Sequence, residues 1–379
     1  MKKSLYMMTA LTVAGILAFG ITDAFAAEKT KKMSVGVSGF FISKAGFSNQ
    51  NTNFESTSNG VSRVHYDSFN IRNDSEIAIK GSAKLDNGVT VSVVIQFETD
   101  QVASSQTIDE SYMKLTGGFG DLRLGSTKHA SFVLHTSAPM VGTIGLDGGD
   151  SNNWVIQPGG LSSLGMRTDI GLSDNMKFVY ISPVFGSSGF RFGTSYEPSN
   201  NNSNLPGSIG GNAGTDRQTF DFVIQYKGKF GGTSLTTDVA YWETHGPAAN
   251  SLKGIRFGGK LGFGAVSIGG TYKRVKDLDS VSSGTGDPTN ETRVYAISAQ
   301  YAAGGMKVAL GYAGEKKEMT VATPGDAEGA RLALGGSINL GTGVDFLASI
   351  VHVDWDDEGT AYADNNKGWA VVGGIKVSF

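Results

Sequence analysis

The chain has 379 residues, and its 32 Lys and Arg against 35 Asp and Glu give a formal net charge of -3 at pH 7. Proteins that bind nucleic acid carry a basic excess that neutralises phosphates, so this balance excludes nucleic acid as an expected partner. The sequence contains no cysteine, which excludes a fold that is held together by disulfides.

The first 26 residues have the features of a cleaved export signal. Lys2 and Lys3 give a positive start, residues 5–20 are apolar except for hydroxyls and glycines, and residues 24–26 read Ala-Phe-Ala. A membrane anchor is the alternative, but the apolar run is shorter than the ~20 residues of a spanning helix, and small residues suit cleavage after Ala26. We therefore predict a signal peptide over residues 1–26 and one exported domain over residues 27–379.

After Lys32 the side chains alternate between apolar and polar, which is the pattern of β-strands with different surroundings on their two faces. Between residues 76 and 85 the odd positions are apolar or small, and the odd positions of residues 89–97 are apolar again. Residues 86–88 read Asp-Asn-Gly between them, and Asn-Gly suits the positive φ of a tight turn. The same strand-turn-strand unit recurs over residues 220–241, so we predict a series of β-hairpins.

Long and short connections alternate along the chain. The short ones are glycine-rich turns, and the long ones are polar stretches at about 43–66, 99–108, 126–166, 197–216, 244–252, 276–291, 315–328 and 355–366. Eight long loops and seven short turns connect sixteen strands. The 353 exported residues (379 minus 26) provide about 22 residues for each strand and its connection, which is enough for a tilted spanning strand of ~9 to 11 residues.

This rhythm predicts an all-β fold, a 16-stranded antiparallel transmembrane β-barrel, because a sheet in lipid must close on itself to leave no unpaired edge. A soluble β-sandwich is the alternative, since its strands alternate equally well. Aromatic residues at strand ends favour the barrel, because such rings form girdles at the two membrane interfaces. The residues expected in these girdles are Phe41, Phe69, Tyr112, Tyr196, Tyr241, Tyr272, Tyr301, Tyr312 and Trp369.

The last strand, residues 369–379, alternates to its end and finishes with Phe379. Together with residues 81–88, 115–125 and 175–183, it gives the chain a pattern that resembles the Gram-negative general diffusion porins over essentially the whole exported part. The resemblance implies short periplasmic turns, long external loops and a homotrimer embedded in outer-membrane lipid. It also implies that the outer-membrane assembly machinery reads the terminal aromatic residue Phe379.

In that family the third loop folds into the barrel and sets acidic groups opposite a basic wall. The longest connection here, residues 126–165, occupies the position of that loop, although it is rather apolar and lacks the usual acidic Pro-Glu-Phe type of turn. An ordinary external loop is the alternative. The acidic residues expected at the constriction are Asp147 and Asp150. The candidates for the basic wall are Arg72, Lys80, Lys114, Arg123 and Arg167.

If the apolar series of side chains faces lipid, the opposite series faces the interior of the barrel and is rich in charge. It includes Glu76, Glu98, Glu110, Lys177, Asp221, Asp238, Arg256, Lys273 and Arg331. A dry interior does not hold so many charges, because each unpaired buried charge costs several kcal/mol. We therefore predict a water-filled channel for passive diffusion of small hydrophilic solutes and ions, in which opposite charges across the waist orient dipolar solutes.

Three other functions are weaker alternatives. A hydrolase barrel needs a histidine beside an inward serine, and the five histidines are scattered without one that stands out. A substrate-selective channel would show a track of aromatic rings in the lumen, and a plugged structural barrel would usually bring a separate soluble domain. We predict no catalytic residue, no metal site and no cofactor. The alternatives are a metal site in the loop that His129 and His135 share with Asp147 and Asp150, or calcium at Asp147 and Asp150, because oxygen ligands on a glycine-rich turn suit it.

Overall fold

The computed structural model describes residues 33–57, 67–100, 108–146, 149–158, 161, 167–169, 174–199, 218–245, 251–277, 291–318, 326–357 and 365–379. In this part of the chain sixteen strands form one closed barrel, in which each strand pairs antiparallel with its neighbours in sequence. The predicted 16-stranded antiparallel barrel is therefore confirmed. The strands are β1 (Ser34–Gln50), β2 (Phe69–Lys84), β3 (Thr90–Glu98), β4 (Ile108–Gly117), β5 (Gly120–Ser126), β6 (Met176–Ile181), β7 (Phe190–Glu197), β8 (Gln218–Phe230), β9 (Thr233–His245), β10 (Leu252–Phe263), β11 (Val266–Asp277), β12 (Glu291–Ala303), β13 (Met306–Glu318), β14 (Asp326–Gly341), β15 (Val344–Asp357) and β16 (Asn366–Ser378).

The barrel closes where the first strand meets the last. Residues 40–50 of β1 pair with residues 368–378 of β16. β1 runs on to Gln50, and its second half makes most of this contact. Beyond β16, the Gly39 N–H donates to the Phe379 carbonyl at 2.8 Å and the Phe379 N–H donates to the Gly39 carbonyl at 3.1 Å. The terminal residue therefore belongs to the hydrogen-bonded seam, and neither strand leaves a free edge.

The short connections collect at one end of the barrel and the long loops at the other, as the alternating rhythm predicts. Glycine is required in several of the short turns, where Gly88 has φ 84, Gly231 φ 58 and Gly343 φ 72, values that other residues rarely adopt. Two short helices lie in long loops, α1 (Thr52–Thr57) and α2 (Ala130–Val133), and Gly149–Asn153 forms a 3-10 turn. No helix among the described residues is long and apolar enough to cross a membrane.

The outward face of the barrel is apolar. Ile224, Leu310 and Ile350 are 45%, 54% and 52% exposed, and a continuous surface of this kind is suited to lipid. Most of the predicted girdle aromatics, such as Tyr301 and Trp369, lie on this face. Tyr112 does not, so its assignment to a girdle was wrong. It shares the inward face of β4 with Lys114, and its ring lies 5.6 Å from the Arg123 guanidinium.

Candidate pore constriction

The third long loop, residues 127–175, is called L3 below, and its described part runs inside the barrel. The N–H of Ser131 donates to Asp221 and that of Thr136 donates to Asp238, both at 2.6 Å. Further along, the N–H of Thr143 donates to the Ser349 hydroxyl at 2.9 Å. These acceptors lie on the inward faces of β8, β9 and β15, so L3 follows the inner wall through much of its circumference.

Glycines on the inner wall make room for the loop backbone. A Cβ atom at Gly258 would collide with the carbonyl of Thr136, and one at Gly335 would collide with the carbonyl of Val141. Wall and loop are therefore fitted to each other at backbone distance, which is closer than side chains would allow.

Wall cations hold L3 by donating to its carbonyls. The Arg256 Nη2 atom donates to the Ser131 carbonyl at 2.8 Å and also pairs with Asp238 at 2.7 Å. The Arg331 Nη1 atom donates to the carbonyls of Gly145 and Leu146, both at 3.1 Å. Backbone carbonyls thus satisfy donors that would otherwise be buried without partners.

Two lysines hold the ends of L3 in the same way. The Lys177 Nζ atom donates to the carbonyls of Thr127 and Asn175, both at 2.6 Å, and the Lys273 Nζ atom donates to the Asp169 carbonyl at 2.9 Å. The sequence placed these lysines, the two arginines above and the aspartates 221 and 238 among the groups that line water. That part of the expectation was wrong, because all six side chains are buried beneath L3.

A buried polar group fixes the beginning of L3. The His129 Nε2 atom lies 3.0 Å from Glu197, its Nδ1 atom lies 3.2 Å from the Ser195 hydroxyl, and Lys177 pairs with Glu197 at 3.3 Å. Burial lowers the pKa of His129, but its hydrogen bonds to the carboxylates of Asp221 and Glu197 outweigh this, so the pKa lies above its ordinary value. The sequence singled out no histidine, because only the folded loop brings His129 to strand β7.

Three of the basic candidates share one part of the wall. The Lys114 Nζ atom lies 4.0 Å and the Arg123 Nη2 atom 3.4 Å from the same oxygen of Asp121. Lys80 is exposed and lies two strands away, in the cross-strand row that continues to Tyr112. This segment therefore presents positive charge beside one inward aromatic ring.

The other candidates lie elsewhere. Arg72 is further up β2, where its Nη1 atom lies 3.5 Å from Asn153 of L3. Arg167, with a side chain 50% exposed, pairs with Asp169 inside the returning part of L3 at 2.9 Å. Asp150 lies in the 3-10 turn, beside the Ser151 hydroxyl that accepts from Arg331 at 2.6 Å.

Asp147 lies outside the described residues, so its pairing with a basic wall stays a prediction, as does a calcium ion at Asp147 and Asp150. A different acidic group forms on the wall toward the long-loop end. Carboxylate oxygens of Glu76, Glu98 and Asp109 lie within 4.8 Å of one another. The Gln96 amide donates to Glu76 at 2.7 Å and to Asp109 at 3.1 Å.

This convergence has a cause that alternation along single strands does not reveal. Glu76 and Glu98 are direct cross-strand partners, and a register irregularity between Ile95 and Phe97 lets Asp109 join them from β4. On the inner wall of β2 to β5, the carboxylates of Glu76, Glu98 and Asp109 thus lie toward the long loops, and Lys80, Lys114 and Arg123 lie toward the short turns. Arg72 and Asp121 are exceptions to this order.

Several known outer-membrane proteins have a similar fold. An anion-selective porin from Comamonas acidovorans is 18% identical and aligns over 92% of this chain and 100% of its own, with a TM-score of 0.58. The outer-membrane channel DcaP of Acinetobacter baumannii is 14% identical over 94% and 100% of the two chains, with a TM-score of 0.60. OmpT of Vibrio cholerae in its trimer form is 12% identical over 92% and 99%, with a TM-score of 0.59.

The TM-scores and the nearly complete coverage of the chains establish a common fold, and at these identities nothing beyond the fold. No curated protein matches the chain in sequence, but the family model for Gram-negative porins matches residues 10–358. The chain therefore belongs to the Gram-negative porin family and forms a diffusion channel in the outer membrane.

Proposed function

We propose that this channel passes small hydrophilic solutes and ions through a water-filled lumen, whose narrowest part lies between L3 and the wall of β2 to β5. The observation that supports this most directly is the course of L3. It covers the inner wall over β7 to β16 with buried hydrogen bonds, while Lys80 and Lys114 on the opposite wall keep contact with solvent. A passage bounded by a docked loop and a charged wall admits hydrophilic solutes and ions and disfavours apolar ones.

The charged wall acts on solutes without holding them tightly. The pair formed by Arg123 and Asp121 and the neighbouring Lys114 leave a net positive charge, and Arg72 adds another near the 3-10 turn of L3. Charges at a narrow waist are less screened than charges in bulk solvent, so they sort ions by sign and favour polar solutes. Asp147 and Asp150 are proposed to supply the opposite sign from the loop.

The same geometry supports a channel without catalytic chemistry. Ser195, His129 and Glu197 resemble a nucleophile, base and carboxylate in order, but their exposures are only 1%, 1% and 2%. A substrate has no access to the serine hydroxyl while L3 is docked. We infer that Ser195, His129 and Glu197 have a structural role and hold the start of L3 against strand β7.

A substrate-selective channel is the runner-up. It would need a continuous row of inward rings, whereas the neighbours of Tyr112 on the same face of β4 are Glu110 and Lys114. We further propose a homotrimer in outer-membrane lipid, because the similar OmpT structure has a trimer form. Residues 1–26, which lie outside the described residues, are proposed to be removed on export.

The test is conductance of the purified protein in planar bilayers together with swelling of liposomes in sugars of increasing size. We expect stepwise channel insertions and a swelling rate that falls with sugar size without saturating. Saturable uptake of one solute would favour the substrate-selective channel. Insertion without conductance would contradict an open lumen and favour a plugged barrel.

A further inference from the structure

A second basic group lies on the inner wall directly beneath L3, on the side away from β2 to β5. Gly193, Gln225 and Gly258 touch L3, on β7, β8 and β10. Two residues nearer the short turns on the same faces lie Arg191, Lys227 and Lys260, called the lower basic cluster below. Two residues of strand span ~7 Å, so the cluster lies just below the loop.

The cross-strand register brings the three cations together. Lys227 and Lys260 are both direct partners of Thr236, from either side of β9, and Arg191 is the partner of Gln225 beside Lys227. Neighbouring strands are ~4.8 Å apart, so all three side chains reach the space in front of the Thr236 hydroxyl.

No carboxylate neutralises the lower basic cluster within the described residues. None of its three cations takes part in an ion pair there. The inward acids of β7, β8 and β9 are Glu197, Asp221 and Asp238, which lie higher, under L3, and are occupied by His129, Lys177 and Arg256. Such an unopposed group costs folding energy unless a mobile anion compensates it.

The arginine of the cluster is held in position by a neutral partner. Its Nε and Nη2 atoms both donate to the Gln225 amide oxygen, at 2.9 and 2.7 Å. The Gln225 amide in turn donates to the Leu134 carbonyl of L3 at 2.7 Å. The guanidinium of Arg191 is thus oriented by the loop while it keeps its full charge and its remaining N–H donors.

We propose that Arg191, Lys227 and Lys260, with the Thr236 hydroxyl, form a binding subsite for multiply charged oxyanions such as phosphate at the short-turn end of the channel. Three cations around one hydroxyl attract a doubly charged oxyanion more strongly than chloride, and a planar guanidinium matches two of its oxygens. Anionic solutes that have passed L3 are held here before release. The subsite depends on the open lumen proposed above.

The experiment measures block of the chloride current by inorganic phosphate in planar bilayers, with phosphate added to either side in turn. The parent channel is compared with Lys227→Gln/Lys260→Gln, which changes two exposed side chains away from the docked loop. Lys307→Gln is the control, because Lys307 is also inward and two residues from a short turn but lies three strands away on β13. Acetate replaces phosphate in a parallel series to test the need for multiple charge.

We expect phosphate, but not acetate, to reduce the chloride current of the parent in a saturable way. The half-blocking concentration should rise about tenfold or more in the double variant, as two nearby attractive charges are lost, and should change less than twofold in the control. Equal shifts in both variants, or no phosphate block in a parent that conducts, would overturn the subsite. A parent that does not conduct would instead contradict the open channel.

Discussion

Basic side chains on the inner wall have one of two environments, set by their height relative to L3. Arg256 and Arg331 lie under the loop and donate to its carbonyls. Their guanidinium groups therefore hold the loop and do not face the lumen. Lys227 and Lys260 lie on the same wall, two residues nearer the short turns than the positions that touch L3, and are exposed. A cation of the first kind is a structural donor, and only one of the second kind acts on passing ions.

Selectivity should respond to charge at the proposed waist. Replacing Asp147 and Asp150 together by asparagine should shift the channel toward anions, and Arg123→Ala should shift it toward cations and raise its conductance by removing a long side chain. Charge in a narrow passage acts on ions far more than charge in a salt-screened external loop. Reversal potential in a salt gradient measures both shifts. Unchanged reversal potentials in both variants would show that these residues do not lie at the waist.

Acid should loosen L3 through His135. Burial, and then the nearby Arg256, lower the pKa of His135 from 6.5 to about 3. The docked loop thus favours the neutral ring. The contribution of the neutral His135 ring to the free energy of docking is complete above pH 6.5, and it is lost as pH falls from there toward 3. At pH 4, about 2.5 units below the ordinary pKa, the loss approaches roughly 3 kcal/mol, as one unit equals about 1.4 kcal/mol.

The measurement is the frequency of brief closures in single-channel records at pH 7 and pH 4. Closures should increase several-fold at pH 4 in the parent and much less in His135→Gln, whose side chain does not titrate. The raised pKa of His129 works in the opposite sense, because its charged form is favoured in the docked loop and persists as pH falls. An equal response of parent and variant would exclude His135 as the cause.

At the level of strands and loops, the alternation of apolar and polar residues was sufficient to predict the barrel and the facing of most side chains. The strand number, the long-short rhythm and the inward face of Lys80, Lys114 and Arg123 follow from a period of two. The docking of L3 did not follow, because its partners are far apart in sequence and become neighbours only when the barrel closes. Tyr112 shows a related limit, since its ring type suggested a girdle although its position on β4 already placed it with Lys114.

The docking of L3 can be tested by adding one side chain on the inner wall. A side chain at Gly335 would strike the Val141 carbonyl, whereas one at the adjacent Gly336 meets only the Lys307 carbonyl at 3.5 Å, an ordinary contact. Gly335→Val should therefore displace L3 and change the conductance, while Gly336→Val leaves it near the parent value. Both barrels should fold, because strands accept valine well. Equal conductance in the two variants would contradict backbone-close docking of the loop.

The terminal residue of β16 offers a test of assembly. Deletion of Phe379 removes the two hydrogen bonds to Gly39 and the aromatic end that the porin resemblance connects with the assembly machinery. We expect a several-fold lower amount in the outer-membrane fraction, with export across the inner membrane unchanged. Phe379→Tyr, which keeps the ring and the backbone bonds, is the control. Equal outer-membrane levels of the deletion variant would count against the assembly signal.

For the whole molecule, inward charge is distributed unevenly along the axis of the channel, with Arg72 near the long loops and Asp121 near the short turns as exceptions. Glu76, Glu98 and Asp109 lie toward the long loops on β2 to β4. In the described part of the chain, seven inward bases lie toward the short turns, namely Lys84, Lys114, Arg123, Arg191, Lys227, Lys260 and Lys307. A field between a loop and the opposite wall was expected across the waist, and the described residues add a second field that runs along the pore.

This axial order should make the channel rectify. Cations accumulate in the acidic part and anions in the basic part, so a voltage that is positive on the long-loop side drives both toward the boundary and raises conductance, whereas the opposite voltage depletes it. The ratio of the two currents should exceed one at 0.1 M salt. It should approach one at 1 M, because the screening length falls from about 10 Å to about 3 Å. Glu76→Gln/Glu98→Gln should lower the ratio, as it weakens only the acidic part. A symmetric current in 0.1 M salt, or a larger current at the opposite polarity, would show that the axial separation does not control ion flow.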